Sequence, residues 1–242
     1  VSVAEIEKLA SLDYIGRAKS ILSLFLIYFT ESELDSCVRG AYETGFSSEK
    51  VAPIVKLDES TYILELFKGP TCAFKDMALQ ILPRLLTVAS GKAAKGTEIV
   101  ILVATSGDTG KAALEGFKDV ENTRILVFYP SDGVSPMQKL QMDSQSGENV
   151  HVCAIKGNFD DAQTGVKEIF ADEAVRKALA EADMEFSSAN SINWGRLVPQ
   201  IVYYFSAYCD MLKASEKDVL EGRKTSFVAA KQLLDAYFAL LH

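Results

Sequence analysis

Residues 99–110 read IVILVATSGDTG, and this stretch decides the fold class. Its first six residues are apolar and mostly β-branched, which is typical of a strand covered on both faces of a parallel sheet. The turn that follows contains two glycines and three hydroxyl side chains. A buried strand that runs through such a turn into a helix predicts an α/β fold, with ligands bound at the carboxyl ends of the strands.

The same alternation of strands and helices continues towards the C-terminus. The pattern predicts helices at 111–118, 137–145, 160–182 and 197–212, and strands at 124–129 and 150–155. Upstream, it predicts short strands at 54–55 and 62–67 and a helix over 74–89 that Pro83 bends. A helix over 15–29 precedes a capping box that begins at Thr30.

These elements suggest four parts of the chain. Residues 1–50 form a helical N-terminal segment, residues 51–90 hold strands and a lysine-bearing helix, and residues 91–190 form a small α/β domain. Residues 191–242 are expected to return to a larger domain, of which only a portion is represented. From Phe227 onwards, the spacing of apolar residues predicts one amphipathic helix.

Composition excludes several classes of function. The chain has 242 residues, 48% apolar content and a formal charge of −8, which argues against non-specific nucleic-acid binding but leaves a small anionic substrate possible. The four cysteines lie far apart without metal-ligand spacing, so we expect reduced, buried thiols and no metal. The most apolar stretch, residues 21–29, is about half of a membrane span, so we expect a cytoplasmic protein without membrane contact.

Lys75 is the first candidate for chemistry. It lies in GPTCAFKD, residues 69–76, at the predicted start of a helix behind a Gly-Pro turn. The partial positive charge of a helix N-terminus disfavours an ammonium group, so the neutral amine that condenses with aldehydes is easier to reach. Taken alone, this feature favours an ordinary surface lysine.

Two polar segments are further candidates. The turn at 105–110 has backbone N–H groups that suit an anion, although Ser, Asp and Thr also cap helices. The segment 187–196 contains Asn190, Ser191 and Arg196, and the guanidinium could bind a carboxylate or phosphate. Alternatively, the polar residues cap the next helix and Arg196 pairs with an acidic residue.

Together these segments resemble the threonine synthase family. The motifs are GPTCAFKD, then ATSGDTG at 104–110, then SANSINWGR at 188–196, in the family's order and spacing. Smaller similarities lie at 129–138, 157–162 and 200–205. The resemblance spans roughly residues 3–212.

The resemblance implies a pyridoxal phosphate (PLP) enzyme of fold type II, in which parallel sheets flanked by helices form two domains with the cofactor cleft between them. It implies that Lys75 carries PLP as a Schiff base and that Asp108 faces the cofactor's ring hydroxyl. It places Ser106, Gly107 and Thr109 at the substrate carboxylate, and Asn190, Ser191 and Arg196 at the substrate or its phosphate. The implied reaction converts O-phosphohomoserine and water into threonine and phosphate.

The chain also departs from the family pattern. A Gly-rich loop resembling PTGNFG, which cradles the cofactor phosphate in the family, has no counterpart here. Either remote pieces of a longer protein are joined near residues 218–223, which we favour, or the chain is truncated and binds PLP poorly. A related PLP-dependent phospholyase and a cofactor-free fragment therefore stay open as alternatives to a threonine synthase.

Overall fold

The computed structural model describes residues 2–58, 61–93 and 96–220. Within these ranges the helices are α1 Val3–Ser11, α2 Tyr14–Leu22, α3 Glu31–Tyr42, α4 Asp76–Leu79, α5 Leu82–Ala93, α6 Asp108–Phe117, α7 Pro136–Asp143, α8 Phe159–Ala171, α9 Glu173–Glu181 and α10 Trp194–Leu220. The strands are β1 Ile54–Lys56, β2 Tyr62–Leu64, β3 Glu98–Ala104, β4 Thr123–Pro130, β5 Val150–Ile155 and β6 Met184–Ser188. The predicted α/β alternation through the middle of the chain is confirmed.

Strands β3 to β6 form one parallel sheet in the order β5-β4-β3-β6. Strand β3 lies inside the sheet, with Val103 paired to Val127 of β4 and Leu102 paired to Ser188 of β6. All its residues after Glu98 are buried, as the apolar run predicts. Strands β1 and β2 form a separate antiparallel pair.

The order of the strands creates a crevice beside β3. Strands β4 and β5 follow β3 on one side, and the chain then crosses back to place β6 on the other side of β3, so the strand order reverses at β3. In open α/β sheets, ligands bind at the carboxyl ends of the strands where the order reverses in this way. The ends of β3 and β6 are therefore the expected place for a site.

Apolar side chains pack into three clusters around these elements. One lies among the helices at the two ends of the described chain and includes Ala18, Val38 and Val202. A second fills one face of the sheet around Phe117, and the third fills the other face, where α8 contributes Val166. Both faces of the sheet are thus covered, as a parallel sheet requires.

The first predicted helix, 15–29, is wrong in its second half. Helix α2 ends at Leu22, and the chain continues through turns to residue 29. At the end of the helix, the hydroxyl of Ser23 donates to the carbonyl of Ser20 at 3.0 Å, a local bond that competes with the helical ladder. The capping box between Thr30 and Glu33 is present at the start of α3.

The predicted helix 74–89 is two helices, α4 and α5. Proline at position 83 has no N–H to donate to the carbonyl of Leu79, four residues earlier, so the ladder is interrupted there. Helix α5 instead begins at Leu82, which places the proline in a first turn where no such bond is needed. The result is a single-turn helix directly after Lys75.

The predicted helix 160–182 is also two helices, because Asp172 separates α8 from α9. Its carboxylate accepts hydrogen bonds from the N–H groups of Ala174 and Val175, which makes it the N-cap of α9. Helix α10 begins at Trp194, three residues before the predicted start. The helix predicted from Phe227 lies outside the described residues.

The cysteines are only partly as expected. All four are free, and Cys37 and Cys209 are buried, but Cys153 is partly exposed and Cys72 is exposed. The prediction of a buried thiol is therefore wrong for Cys72, which occupies a left-handed position, φ 56°, in the loop before α4. Across residues 2–58, 61–93 and 96–220, no helix is both long and apolar enough to cross a membrane.

Candidate active site

The loop 69–75 presents Lys75 as the residue immediately before α4. The loop is fixed by Asp76, whose carboxylate accepts the Thr71 N–H at 2.8 Å and the Thr71 hydroxyl at 2.6 Å. Gly69 lies against the same carboxylate, and a Cβ atom there would come within 2.5 Å of the Asp76 side chain. Glycine is thus required for this close approach.

The amine of Lys75 has two neighbours. Its Nζ lies 3.7 Å from Oδ2 of Asp108 and 4.6 Å from the ring centroid of Phe74. A carboxylate and an aromatic face both attract an ammonium group. Since α4 has only four residues, its dipole opposes this attraction less than the dipole of the predicted long helix would.

The turn after β3 is organised by Thr105. Its buried hydroxyl accepts hydrogen bonds from the N–H groups of Gly107 and Gly110, at 3.0 and 2.9 Å, and donates to the Gly107 carbonyl at 3.1 Å. Helix α6 begins at Asp108, earlier than predicted, so the N–H groups of Asp108 and Thr109 lie in its first turn, where the helix itself offers no carbonyl partner. This arrangement suits an anion.

The two asparagines after β6, Asn190 and Asn193, have different roles. Asn193 caps α10, because its Oδ1 accepts the Gly195 N–H at 2.9 Å and its Nδ2 donates to the Ser188 carbonyl at 2.8 Å. By contrast, Oδ1 of Asn190 is buried and has no hydrogen-bond partner within the described part of the chain. Asn190 therefore has an acceptor available for a ligand.

Arg196 is only 4% exposed, and its Nη1 has no hydrogen-bond partner among the described residues. No described carboxylate forms an ion pair with it, so the alternative of a structural pair with an acidic residue finds no support there. Burial lowers the pKa of Arg196 from its usual value, while Tyr203 acts in the opposite direction. A buried cation with an open donor is a strong candidate for binding an anion.

These residues meet in one cleft of about 450 Å³ at the carboxyl ends of β3 and β6. Six of the residues predicted from the sequence line it: Lys75, Ser106, Thr109, Asn190, Ser191 and Arg196. Asp108 and Gly107 lie beside the cleft and contact Lys75 and Gln138 respectively. Among the described lining residues three are cationic and none is acidic.

Helix α8 contributes a wall of the cleft that the motifs did not reveal. Its lining residues are Phe159, Gln163, Val166, Lys167 and Phe170. The polar members, Gln163 and Lys167, are one helical turn apart on the face that otherwise packs against the sheet. Polar residues within the apolar face of a helix are the sequence signal that could have revealed this wall. Lys167 is the third cation of the cleft.

This combination defines a class of protein. It is an α/β protein with a lysine amine in an electropositive cleft, at the point where the strand order of a parallel sheet reverses. Sequence comparison supports a particular member of that class. A threonine synthase of Pseudomonas aeruginosa is 47% identical over 162 residues, covering 67% of this chain and 33% of the relative. A threonine synthase of Serratia marcescens is 37% identical over 210 residues, covering 86% of this chain and 45% of the relative.

Solved structures agree. PLP-bound threonine synthase from Brucella melitensis superposes with a TM-score of 0.79 at 40% identity, covering 87% of this chain and 44% of that chain. Threonine synthase from Escherichia coli gives a TM-score of 0.73 at 35% identity, covering 87% and 46%. No family model matches the chain.

The chain is therefore a homologue of threonine synthases, related to them over most of its own length. The predicted fold class is confirmed by these structures, which share its parallel sheet flanked by helices. The chain spans between about a third and a half of the length of these relatives. The roles of individual site residues stay predictions.

Proposed function

We propose that this chain is the lysine-bearing part of a threonine synthase that converts O-phosphohomoserine and water into threonine and inorganic phosphate. The observation that carries the proposal is the amine of Lys75 in a cleft that it shares with two further cations, Lys167 and Arg196, and with no acidic residue among the described lining residues. Similarity to threonine synthases over most of the chain supports this assignment of the cleft. We also propose that the protein is cytoplasmic, in keeping with its free cysteines.

The described residues fit PLP at its reactive end. Lys75 would hold the cofactor through Nζ, and Asp108, 3.7 Å from that atom, would face the ring hydroxyl. The unpartnered Oδ1 of Asn190 and Nη1 of Arg196 are polar groups that a bound ligand would satisfy. When bound, PLP supplies an electron sink for carbanions formed on the amino-acid substrate.

The chain's own residues account for substrate binding and proton movement. The turn at Ser106, Gly107 and Thr109 would receive the substrate carboxylate, because helix α6 begins there and a helix N-terminus attracts anions. Arg196 would bind the substrate phosphate, with Asn190 and Ser191 beside it. Nζ of Lys75, when its amine is free, would move protons between substrate carbon atoms.

We assign the parts of the chain accordingly. Residues 91–190, which contain the parallel sheet up to β6, would form the smaller α/β domain. Residues 1–50, 51–90 and 191–242 would belong to the larger domain, whose helices α1, α2 and α10 share one apolar cluster. The Gly-rich loop that cradles the cofactor phosphate in the family has no counterpart in this chain.

The proposal is tested by reducing the purified chain with borohydride in the presence of PLP and mapping the labelled peptide. A covalent adduct on Lys75 supports the cofactor assignment, whereas adducts spread over surface lysines contradict it. Incubation of the protein with O-phosphohomoserine and analysis of the organic product then tests the reaction. Threonine with equimolar phosphate is expected, and a keto acid would indicate the phospholyase reaction instead.

A further inference from the structure

Gln138 has a side chain that is fixed at both ends. Its Oε1 accepts hydrogen bonds from the N–H and the hydroxyl of Ser135, at 3.3 and 3.0 Å. Its Nε2 donates to Oδ1 of Asp108 at 2.7 Å. Gln138 is in the first turn of α7, so one carboxamide connects that helix to the turn that follows β3.

The direction of this carboxamide follows from its partners. The N–H of Ser135 can only donate, so it requires the oxygen of Gln138. The nitrogen must then face Asp108, where it donates to a carboxylate oxygen. The contact between Gln138 and Asp108 is therefore a directed hydrogen bond, and not an amide that could equally be turned over.

Gly107 makes room for this contact. Its φ of 150° is a backbone conformation that side-chain-bearing residues rarely adopt. A Cβ atom there would lie 2.4 Å from Nε2 and 2.7 Å from Oε1 of Gln138. The glycine thus permits the carboxamide to pass over the turn and reach Asp108.

The hydrogen bond also orients the carboxylate towards Lys75. With Oδ1 of Asp108 engaged by Gln138, Oδ2 is the oxygen that lies 3.7 Å from Nζ of Lys75. The Asp108 side chain is 51% exposed, so packing alone leaves it free to turn towards solvent. A directed bond from Gln138 is what restrains it.

We propose that Gln138 is a positioning residue that holds Asp108 against the amine of Lys75, and that Gly107 is glycine to admit it. This inference rests on the proposed function for its meaning in catalysis, but the arrangement itself belongs to the chain without cofactor. The competing explanation is that Gln138 only completes the capping box of α7, since it forms one with Ser135. The two explanations predict different effects when the hydroxyl of Ser135 is removed.

Competitive acetylation of lysines in the full chain, without added PLP, separates them. Lysines are labelled with trace acetic anhydride at one pH, and the label on Lys75 is compared by mass spectrometry with that on the exposed Lys139. Release of Lys75 from its ion pair makes the amine a better nucleophile, so Gln138→Met should raise its relative labelling about two- to fivefold. Asp108→Asn should give an increase of similar size.

Ser135→Ala is the matched control, because it breaks the capping box of α7 and leaves the donor to Asp108 in place. It should lower the melting temperature as Gln138→Met does, with Lys75 labelled as in the wild type. Gln138→Leu repeats the test with a different shape. Wild-type labelling of Lys75 in both Gln138 variants, or equal increases in Gln138→Met and Ser135→Ala, would overturn the proposal. Because no cofactor is involved, failure of PLP trapping would leave this result unaffected.

Discussion

Asp76 and Thr71 form a paired contact in which one buried carboxylate accepts both the backbone N–H and the hydroxyl of the threonine, at 2.8 and 2.6 Å. The side chain of Asp76 follows Lys75 directly and is fully buried. The contact closes the Gly-Pro turn and thereby fixes the backbone position of Lys75. The role proposed for Lys75 thus depends on a structural acid at the next position.

Replacement of Asp76 should therefore depend on hydrogen bonding and less on charge. Asp76→Ala leaves a partly buried N–H without its partner and should lower the free energy of unfolding by about 1–3 kcal/mol. Asp76→Asn can accept the Thr71 N–H with Oδ1 and donate to the Thr71 hydroxyl from Nδ2, so it should cost less. Urea denaturation measures both, with the exposed Asp132→Ala as control. Equal losses for Ala and Asn would show that the charge, and not the pairing, matters.

The same residue should leave a signature in the pH dependence of stability. Burial raises the pKa of Asp76 above its ordinary value of 3.8, although the hydrogen bonds from Thr71 oppose the shift. In the pH range between 3.8 and the raised pKa, the folded state keeps a proton that the unfolded state has lost. The contribution of Asp76 to stability therefore falls as the pH rises through this range and is constant above it. Asp76→Asn should remove that contribution. Unfolding free energies of both proteins across the acidic range test this, and parallel pH profiles would contradict it.

Lys75→Ala should abolish the PLP adduct and any turnover. The position precedes α4 and tolerates alanine, so the fold should be retained. Borohydride trapping with peptide mapping measures the adduct, and circular dichroism checks the fold. Lys139→Ala, an exposed lysine on α7, is the control and should trap PLP as the wild type does. Phosphate release by the Lys75 variant at the wild-type rate would defeat the assignment.

Replacement of Arg196 by an apolar residue should preserve stability but remove anion binding. Nη1 of the buried Arg196 guanidinium has no partner among the residues that the structure describes, so Arg196→Met should be at least as stable as the wild type in phosphate-free buffer. Inorganic phosphate should stabilise the wild type by about 2.7 kcal/mol at a concentration one hundred times its Kd, and should not stabilise the variant. Thermal unfolding with and without phosphate measures this.

The matched control is Arg124→Met, which removes a surface arginine paired with Glu98. It should keep the full phosphate response, since Arg124 is remote from the lining of the cleft. If phosphate stabilises the Arg196 variant as much as the wild type, Arg196 is not the anion ligand.

The sequence predicted secondary structure most closely where a single local pattern dominated. The apolar, β-branched run of β3 and the strand β5 were predicted closely, because their periodicity records burial directly. Helix ends were predicted less well. Pro83 and Asp172 each ended a helix that the apolar spacing alone would have continued, since a missing N–H or a capping carboxylate acts on single hydrogen bonds that periodicity does not report.

The site was only half visible in the motifs. Lys75 and Arg196 were found through motifs, whereas Gln138 and Lys167 were assigned no role until the structure placed them beside Asp108 and in the cleft. Nothing in the local sequence distinguishes a glutamine that completes a capping box from one that also donates to a distant carboxylate. That second partner lies thirty residues away along the chain.

The sequence by itself determined the α/β class, the relationship to threonine synthases and the identity of the lysine at the centre of the proposal, because each is written in contiguous residues. Only the tertiary structure decided which polar groups are left without partners. Arg196 and Asn190 could equally have been satisfied by neighbours, and burial after β6 is what left them open. The physical reason is that hydrogen-bond satisfaction and desolvation depend on groups brought together by the sheet, and not on neighbours in sequence.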